Sequence, residues 1–384
     1  MRDFSAVLQA ELEALRRADR LRAVPELSGS SRHHPIGPTG PLLSFASNDY
    51  LGLASHPAIL AASAAVAAEE GFGAGAARLV TGNLPAHRDL EIALAGFLGR
   101  PAALAFPSGY QANLGVLTTL AGPEDLIASD AANHASLIDG CRLSRARIAV
   151  FAHRDPADAA RALATPGTFR RRLLVTESLF SMDGDVAPLA ALGTAAEASD
   201  AILVVDEAHA LGVSGPGGRG LCAAAGVSPD VLVGTLGKAF GSAGGFVSGA
   251  PALRDLLLNR ARTFVFTTAP PAPVAAAAAA GIRLAASPEG EARRSRLRAN
   301  GALLAELLRG RIEPPPGPIL PIVLGPDAAA LAASSALRAQ GLFVPAIRPP
   351  TVPEGTARLR ITLSSEHIPA DLQRLADALG KVLP

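Results

Sequence analysis

The chain has 384 residues, which at roughly 100–200 residues per domain is two or three structural units. Its composition, 49% hydrophobic and 18% charged, supports a sizeable core, and a net charge of +1 gives no general pull toward nucleic acid or a membrane surface. Two cysteines, Cys141 and Cys222, lie far apart and outside any CxxC pattern, which argues against a disulfide scaffold and fits a reducing compartment.

In chain order, residues 3–22 read as an amphipathic helix of mixed charge without the apolar core of a signal peptide. "PELSGSSRHHPIGPTG" is a loop, and "LLSFASNDYLGL" a short strand and turn. "HPAILAASAAVAAEE" is helical and stops at the glycines of "GFGAGAARLVTGN"; "HRDLEIALAGFLG" is helical again. The pattern then alternates. Strands are predicted over 102–106, 125–130, 147–152, 171–178, 201–209, 231–238 and 244–249, with helices over 107–121, 133–144, 156–164 and 188–199. Short strands with two apolar faces, alternating with helices, predict a mainly parallel sheet covered on both sides. Polar residues at the C-terminal ends of such strands are where ligands bind. From about residue 290 a smaller α+β unit follows: a charged helix over 293–310, a strand over 319–325, a helix over 327–340, strands over 342–347 and 357–367, and a closing helix over 369–383. The apolar stretch "PVAAAAAAGIRLAA" is too short and alanine-rich for a membrane span, so the chain reads as soluble and cytoplasmic.

Lys238 and Lys381 are the only lysines among 35 basic residues. Lys238 stands between glycines in "GTLGKAFGSAGG", at the end of a predicted strand. An amine condenses with an aldehyde; a guanidinium, always protonated and delocalised, does not do so usefully. Pyridoxal phosphate (PLP) is the aldehyde cofactor that combines such a lysine with an acidic partner for its ring nitrogen. Asp206, ending the apolar run of "AILVVDEAH", suits that partner, because a neighbouring carboxylate favours the protonated ring. His209, three residues on, can hydrogen-bond the phenolic oxygen. "SGY" follows a strand and opens a helix, so it offers the backbone N–H groups of Gly109 and Tyr110 to a phosphate. Thr235 adds a hydroxyl, and His134 in "NHASL" a ring that can stack. Singly, each reads more readily as a loop or capping residue; their joint order along an alternating chain points to PLP. Two other patterns fall away. "DEAH" also spells a helicase box, but no GxxxxGK[ST] loop surrounds Lys238. "GPGGRG" and "GFGAGA" fit dinucleotide fingerprints, but neither follows directly on a predicted strand.

The segments "SNDYLGL", "GAARLVTG", "SGYQAN", "NHASLIDG", "ESLFSMDGD", "VVDEAHALGV", "GTLGKAFGSAGG" and "RPPTVPEGTARLRITLSSEH" together resemble the α-oxoamine synthases over nearly the whole chain. The resemblance implies an α/β, fold-type I PLP-dependent transferase. Its large domain would hold a mainly parallel seven-stranded sheet between helices, with a smaller α+β C-terminal domain. The expected boundaries are 1–45 for an N-terminal helix and linker, 46–285 for the large domain and 286–384 for the small one. The activity implied is condensation of an amino acid with an acyl thioester and loss of CO2, with PLP as cofactor and no metal. Lys238 would carry the cofactor, Asp206 would pair with its ring nitrogen, and His209 and Ser181 would meet the phenolic oxygen. Thr235 and the Gly109–Tyr110 backbone would hold the phosphate, with His134 stacked on the ring. Arg360 would grip the amino-acid carboxylate, Arg22 the far carboxylate of the acyl chain, and Asn48 and Thr351 would line the substrate site. Thr267 and Thr268 would reach the phosphate of a neighbouring subunit, which implies a homodimer. The short N-terminus, "SNDYLGL" and "AIRPPTVPEGTARLRITL" are most similar to the branch that uses L-alanine and a pimeloyl thioester, carried by coenzyme A or an acyl carrier protein, in biotin synthesis. A glycine acetyltransferase of the same family, and an aminotransferase of the same fold, stand as alternatives. Ala210 occupies a position where many relatives have glycine, and "FTTAPPA" is one residue shorter than usual.

Overall fold

The apolar runs between residues 102 and 249 come together as one sheet. In this computed structural model, which describes residues 4–29, 31–308 and 312–383, its strands are β1 (Ala102–Phe106), β2 (Leu126–Asp130), β3 (Arg147–Phe151), β4 (Arg172–Glu177), β5 (Ala201–Asp206), β6 (Val231–Thr235) and β7 (Gly245–Gly249). Their spatial order is β1-β7-β6-β5-β4-β2-β3. β7 runs antiparallel to both neighbours, and every other pairing is parallel. Leu173, Val175 and Val204 are buried in one layer, while Leu174, Leu203 and Val205 are buried in the other. Alternate residues of one strand thus enter opposite cores, so these strands have no polar face. This is the seven-stranded, mainly parallel α/β sheet expected from the sequence.

The sheet belongs to a unit of Asn48–Arg298 with Pro316–Pro318, and the other described residues form a second unit. The N-terminal segment read as a separate linker falls in that second unit with the C-terminal segment. Leu43 and Ser44 pair in parallel with Leu342 and Phe343, and Thr362 N donates to Phe45 O at 2.8 Å. The predicted strand over 342–347 is split at Pro345, which has no N–H to contribute to a ladder. Leu342–Phe343 pairs with Leu43–Ser44, whereas Ala346–Ile347 joins Ala357–Thr362 and Ile319–Gly325 in an antiparallel sheet. The N-terminal helix, Phe4–Arg17, stops short of Arg22, because Asp19 takes φ 55° in the left-handed region. Asp3, Ser30 and Arg309–Gly310, which fall in predicted elements, lie outside the described residues.

Among the helices of the larger unit with no counterpart in the sequence reading are two long ones, Pro251–Arg260 and Ala272–Ala285. The second is apolar and buried along most of its length, so it carries no helical period. A Cβ at Gly281 would lie 2.0 Å from Phe240 O, so this helix backs directly onto the turn that holds Lys238. Ser242 Oγ donates to Val274 O across the same contact at 2.9 Å. Among the described residues no helix is long and apolar enough to cross a membrane.

His367 makes the second unit sensitive to acid. Its Nδ1 accepts from Ser364 N at 3.1 Å and its Nε2–H donates to Ser44 O at 3.0 Å. Burial pushes the imidazole down to about 4. An unfolded histidine titrates near 6.5, so between the two values the unfolded chain binds the extra proton and stability falls as pH drops. About 2 kcal/mol should be lost by pH 5. The urea midpoint should therefore fall between pH 7 and pH 5, and His367→Gln should flatten that fall; a variant with the wild-type slope would show that the slope has another source.

Candidate active site

Parallel strands bring their C-terminal ends to one edge of a sheet. Here β4 ends at Glu177, β5 at Asp206 and β6 at Thr235, with Glu177 and Asp206 paired in register. Together with the start of the helix Gly109–Leu120 they border a cavity of about 180 Å3. Gly109, Tyr110, His134, Asp206, His209, Thr235 and Lys238 line it, seven residues that the sequence singled out. Asn113, Ser136, Glu177 and Ala208 line it too, and sequence reasoning passed over them. A larger hollow of about 650 Å3 beside the helix Leu189–Ala198 has only Glu197, Asp200 and Asp230 as ionisable lining, with no amine or imidazole.

Lys238 is half-buried in the turn after β6, and its Nζ lies 2.7 Å from His209 Nε2. On the other side of that ring, Tyr50 Oη is 2.6 Å from His209 Nδ1 and donates to Asn48 Oδ1 at 3.1 Å. A hydroxyl has one proton. Spent on Asn48, it leaves the Tyr50 oxygen to accept from His209 Nδ1–H, so Nε2 is the acceptor facing the amine. Asn48 thus reaches the site through Tyr50, which the sequence reading left without a role although it lies in "SNDYLGL".

Ser108 caps the helix Gly109–Leu120, its Oγ accepting from Gln111 N at 3.1 Å. The N–H groups of Gly109 and Tyr110, in the first turn, have no acceptor within the helix. The first residue of β7 packs so close to this terminus that a Cβ at Gly245 would lie 2.4 Å from Gly109 N. Thr235 Oγ1 borders the same end of the cavity, donating to Gly244 O at 3.0 Å and accepting from Gly237 N at 3.2 Å.

Asp206 is 6% exposed. Its Oδ2 accepts from Asn113 Nδ2 at 2.7 Å and its Oδ1 from Ala208 N at 2.8 Å. Glu177 is buried, and its Oε1 accepts from His134 N at 2.6 Å. Burial, reinforced by the Asp206 charge, holds the Glu177 carboxyl well above the usual carboxylate range. Burial lowers the proton affinity of His134; the Asp206 charge opposes this and the Lys238 charge adds to it.

Other sequence candidates lie elsewhere. Ser181 is buried in the loop after β4 and does not line the cavity. Thr267 and Thr268 sit between the helices Arg262–Val265 and Ala272–Ala285, also outside its lining. Arg22, Thr351 and Arg360 belong to the second unit. Arg360 is buried in the strand Ala357–Thr362 and its Nη1 donates to Thr362 Oγ1 at 2.9 Å. Arg22 is exposed beyond the N-terminal helix and its Nη2 donates to Pro349 O at 3.2 Å, while Thr351 N donates to Arg348 O at 3.1 Å.

Residues 41–379 match the family described as aminotransferase class I and II. An 8-amino-7-oxononanoate synthase of Bordetella petrii is 51% identical over 354 residues, which is 89% of this chain and 88% of its own length. Among solved structures, a serine palmitoyltransferase variant from S. paucimobilis with bound PLP–myriocin aldimine is similar with a TM-score of 0.92 and 32% identity, over 99% of each chain. The 8-amino-7-oxononanoate synthase of Francisella tularensis is similar with a TM-score of 0.76 and 28% identity, over 88% of this chain and 97% of that one. The chain therefore belongs to the class I and II aminotransferase family, in the α-oxoamine synthase branch that holds the 8-amino-7-oxononanoate synthases.

Proposed function

We propose that this chain is a PLP-dependent C-acyltransferase that joins L-alanine to a pimeloyl thioester. The products are 8-amino-7-oxononanoate, CO2 and the free thiol, a step of biotin synthesis. The observation that carries this reading is the Lys238 amine set in one cavity with the Asp206 carboxylate, in a chain about half identical to proteins with that name.

The residues present fit the cofactor. An amine, a carboxylate and two imidazoles converge on the cavity. The first-turn N–H groups of Gly109 and Tyr110 make an anion site at its edge, toward which the Thr235 hydroxyl, now donating to Gly244 O, can turn. Asn113 Oδ1 is a buried oxygen without a hydrogen-bond partner, so the wall keeps an unused acceptor. Lys238 would hold PLP covalently, Asp206 would pair with its ring nitrogen, His209 and Ser181 would serve the phenolic oxygen, and His134 would stack on the ring. Bound there, PLP supplies an electron sink for the charge that develops at the amino acid Cα.

Arg360 holds the alanine carboxylate, a contact that suits a guanidinium fork. Asn48 and Thr351 line the substrate site. Lys238 Nζ takes the Cα proton and later returns one, and His209 Nε2, 2.7 Å away, keeps the amine in place. A bond forms between alanine Cα and the acyl carbonyl carbon as the C–S bond breaks and the sulfur leaves as thiol. The alanine carboxylate departs as CO2, and a proton takes its place at Cα.

The thiol carrier is coenzyme A or an acyl carrier protein, and the reaction runs in the cytoplasm. Thr267 and Thr268 serve the neighbouring subunit of a homodimer. Exposed Phe72, Val80 and Phe266 support this, being large apolar side chains that a second copy would cover. So do Phe4, Val7, Leu8, Leu12 and Leu15, exposed at helical spacing along the N-terminal helix.

Arg22 selects the donor by binding the far carboxylate of the pimeloyl chain. Losing a charged hydrogen bond costs about 1.5–3 kcal/mol, roughly 10- to 150-fold in apparent affinity. Arg22→Ala should weaken use of the pimeloyl thioester by that factor and leave an uncharged acyl chain of similar length unaffected. An equal loss toward both donors would make Arg22 structural. In the wild type, thiol release should be fastest when L-alanine meets the pimeloyl thioester, in a cross of L-alanine and glycine against pimeloyl and acetyl thioesters. Preference for glycine with the acetyl donor would overturn the reading.

A further inference from the structure

Two polar side chains in the cavity wall, Asn113 and Ser136, are each 1% exposed and have no part in the reaction described above. Asn113 Nδ2 lies 2.7 Å from Asp206 Oδ2 and 2.9 Å from Ser136 Oγ. A carboxylate oxygen only accepts, so the amide nitrogen, not the amide oxygen, faces Asp206. Both amide protons are then committed, one to Asp206 and one to Ser136. Ser136 Oγ accepts there and has its own proton left to give. His134 Nδ1 lies within reach of it at 2.8 Å. The backbone N–H of Ser136 donates to the same Nδ1 at 3.2 Å, because His134 caps the helix Ala135–Ser144. Two donors aimed at Nδ1 leave it no proton of its own, so the ring carries its proton on Nε2. Glu177 Oε1 fixes the backbone of the same residue through His134 N.

We propose that Asn113 and Ser136 are positioning residues that link the Asp206 carboxylate to His134 and hold the His134 ring as the neutral Nε2–H tautomer. The proposal rests on the reading of Asp206 and His134 as cofactor contacts. It assigns a direction to every proton between them: from the amide to the carboxylate and to Ser136, and from Ser136 to the imidazole. Two consequences follow for the reaction. At Nε2 the ring already carries its proton, so His134 cannot take the Cα proton there, and that step stays with Lys238 as proposed above. Through Nε2–H it offers the site a hydrogen-bond donor, suited to a carboxylate or carbonyl oxygen of the substrate. The Asp206 carboxylate is meanwhile held from two sides, by Asn113 and by Ala208 N.

Histidine-labelled enzyme, full-length and loaded with PLP, tests the relay by 15N NMR. A single tautomer separates the two ring nitrogens widely, and a mixture draws them together. His134→Gln identifies the signals. The wild type should show His134 protonated at Nε2 between pH 6 and pH 8. Ser136→Ala removes one of the two donors at Nδ1, so the Nδ1-protonated population should rise about 2- to 10-fold, the weight of one neutral hydrogen bond. Asn113→Ala frees the Ser136 hydroxyl to turn away and should move the ratio in the same direction; it decides the matter if the Ser136 variant does not fold. A wild-type ring protonated at Nδ1, or variant rings with the wild-type ratio, would overturn the relay. PLP loading is followed separately by absorbance. A wild type that takes up no PLP sinks the functional reading, while the tautomer of the unloaded chain still decides the relay.

Discussion

Lys238→Arg is expected to keep the charge and the fold and to lose the enzyme. Purified wild-type protein should carry a visible PLP absorption that survives gel filtration, and the variant should not. Turnover should fall by at least about 10^3-fold, since the change removes both the covalent hold on the cofactor and the base that moves the Cα proton. Arginine fails here because its guanidinium stays protonated and delocalised. Space is also short around this turn. Gly281 lies against Phe240 O, and at Gly241, φ 66°, a Cβ would stand 2.6 Å from the Leu53 backbone. Borohydride reduction of the wild type should attach the cofactor to the peptide that contains Lys238. A label on Lys381, or on no lysine, would contradict the assignment.

Asp206→Asn should separate cofactor binding from chemistry. The variant keeps an acceptor for Ala208 N, and its new NH2 can donate to Asn113 once that amide turns its unpartnered Oδ1 toward it, so PLP should remain bound. What it loses is the negative charge that keeps the ring nitrogen protonated, an influence typically worth 1–3 pKa units, or about 10- to 1000-fold in the protonated fraction. Exchange of the alanine Cα proton with solvent deuterium, followed by NMR, should slow by that order. Exchange at the wild-type rate would remove Asp206 from this role.

The sheet was legible because its strands are short apolar runs closed by turns, and in β4 and β5 alternate residues enter two cores. The buried helix Ala272–Ala285 was not legible, because a helix apolar on nearly every side has no clear period and its small residues answer to a neighbour, Phe240, rather than to their own turn. Proline explains the split at residue 345, and Asp19, with its positive φ, the early end of the first helix. At the site, the residues that bear chemistry could be named: Lys238 by its rarity, Asp206 by its place at a strand end, and Gly109 and Tyr110 by opening a helix. Their supports could not. Tyr50 meets His209 across 159 residues and Asn113 meets Asp206 across 93, and no local pattern announces such a pair. Asn113 and Ser136 do lie inside the quoted motifs "SGYQAN" and "NHASLIDG", so the signal was present as position without a reason.

The most direct test of the proposed reaction is its stoichiometry. Carboxyl-labelled L-alanine and pimeloyl-coenzyme A are supplied to the PLP-loaded enzyme, and labelled CO2 and free thiol are counted together. One CO2 for each thiol, with 8-amino-7-oxononanoate formed in equal amount and no keto acid required, is the result predicted. Thiol released without CO2, or turnover that depends on a keto-acid acceptor and leaves the carboxyl label in the product, would contradict it.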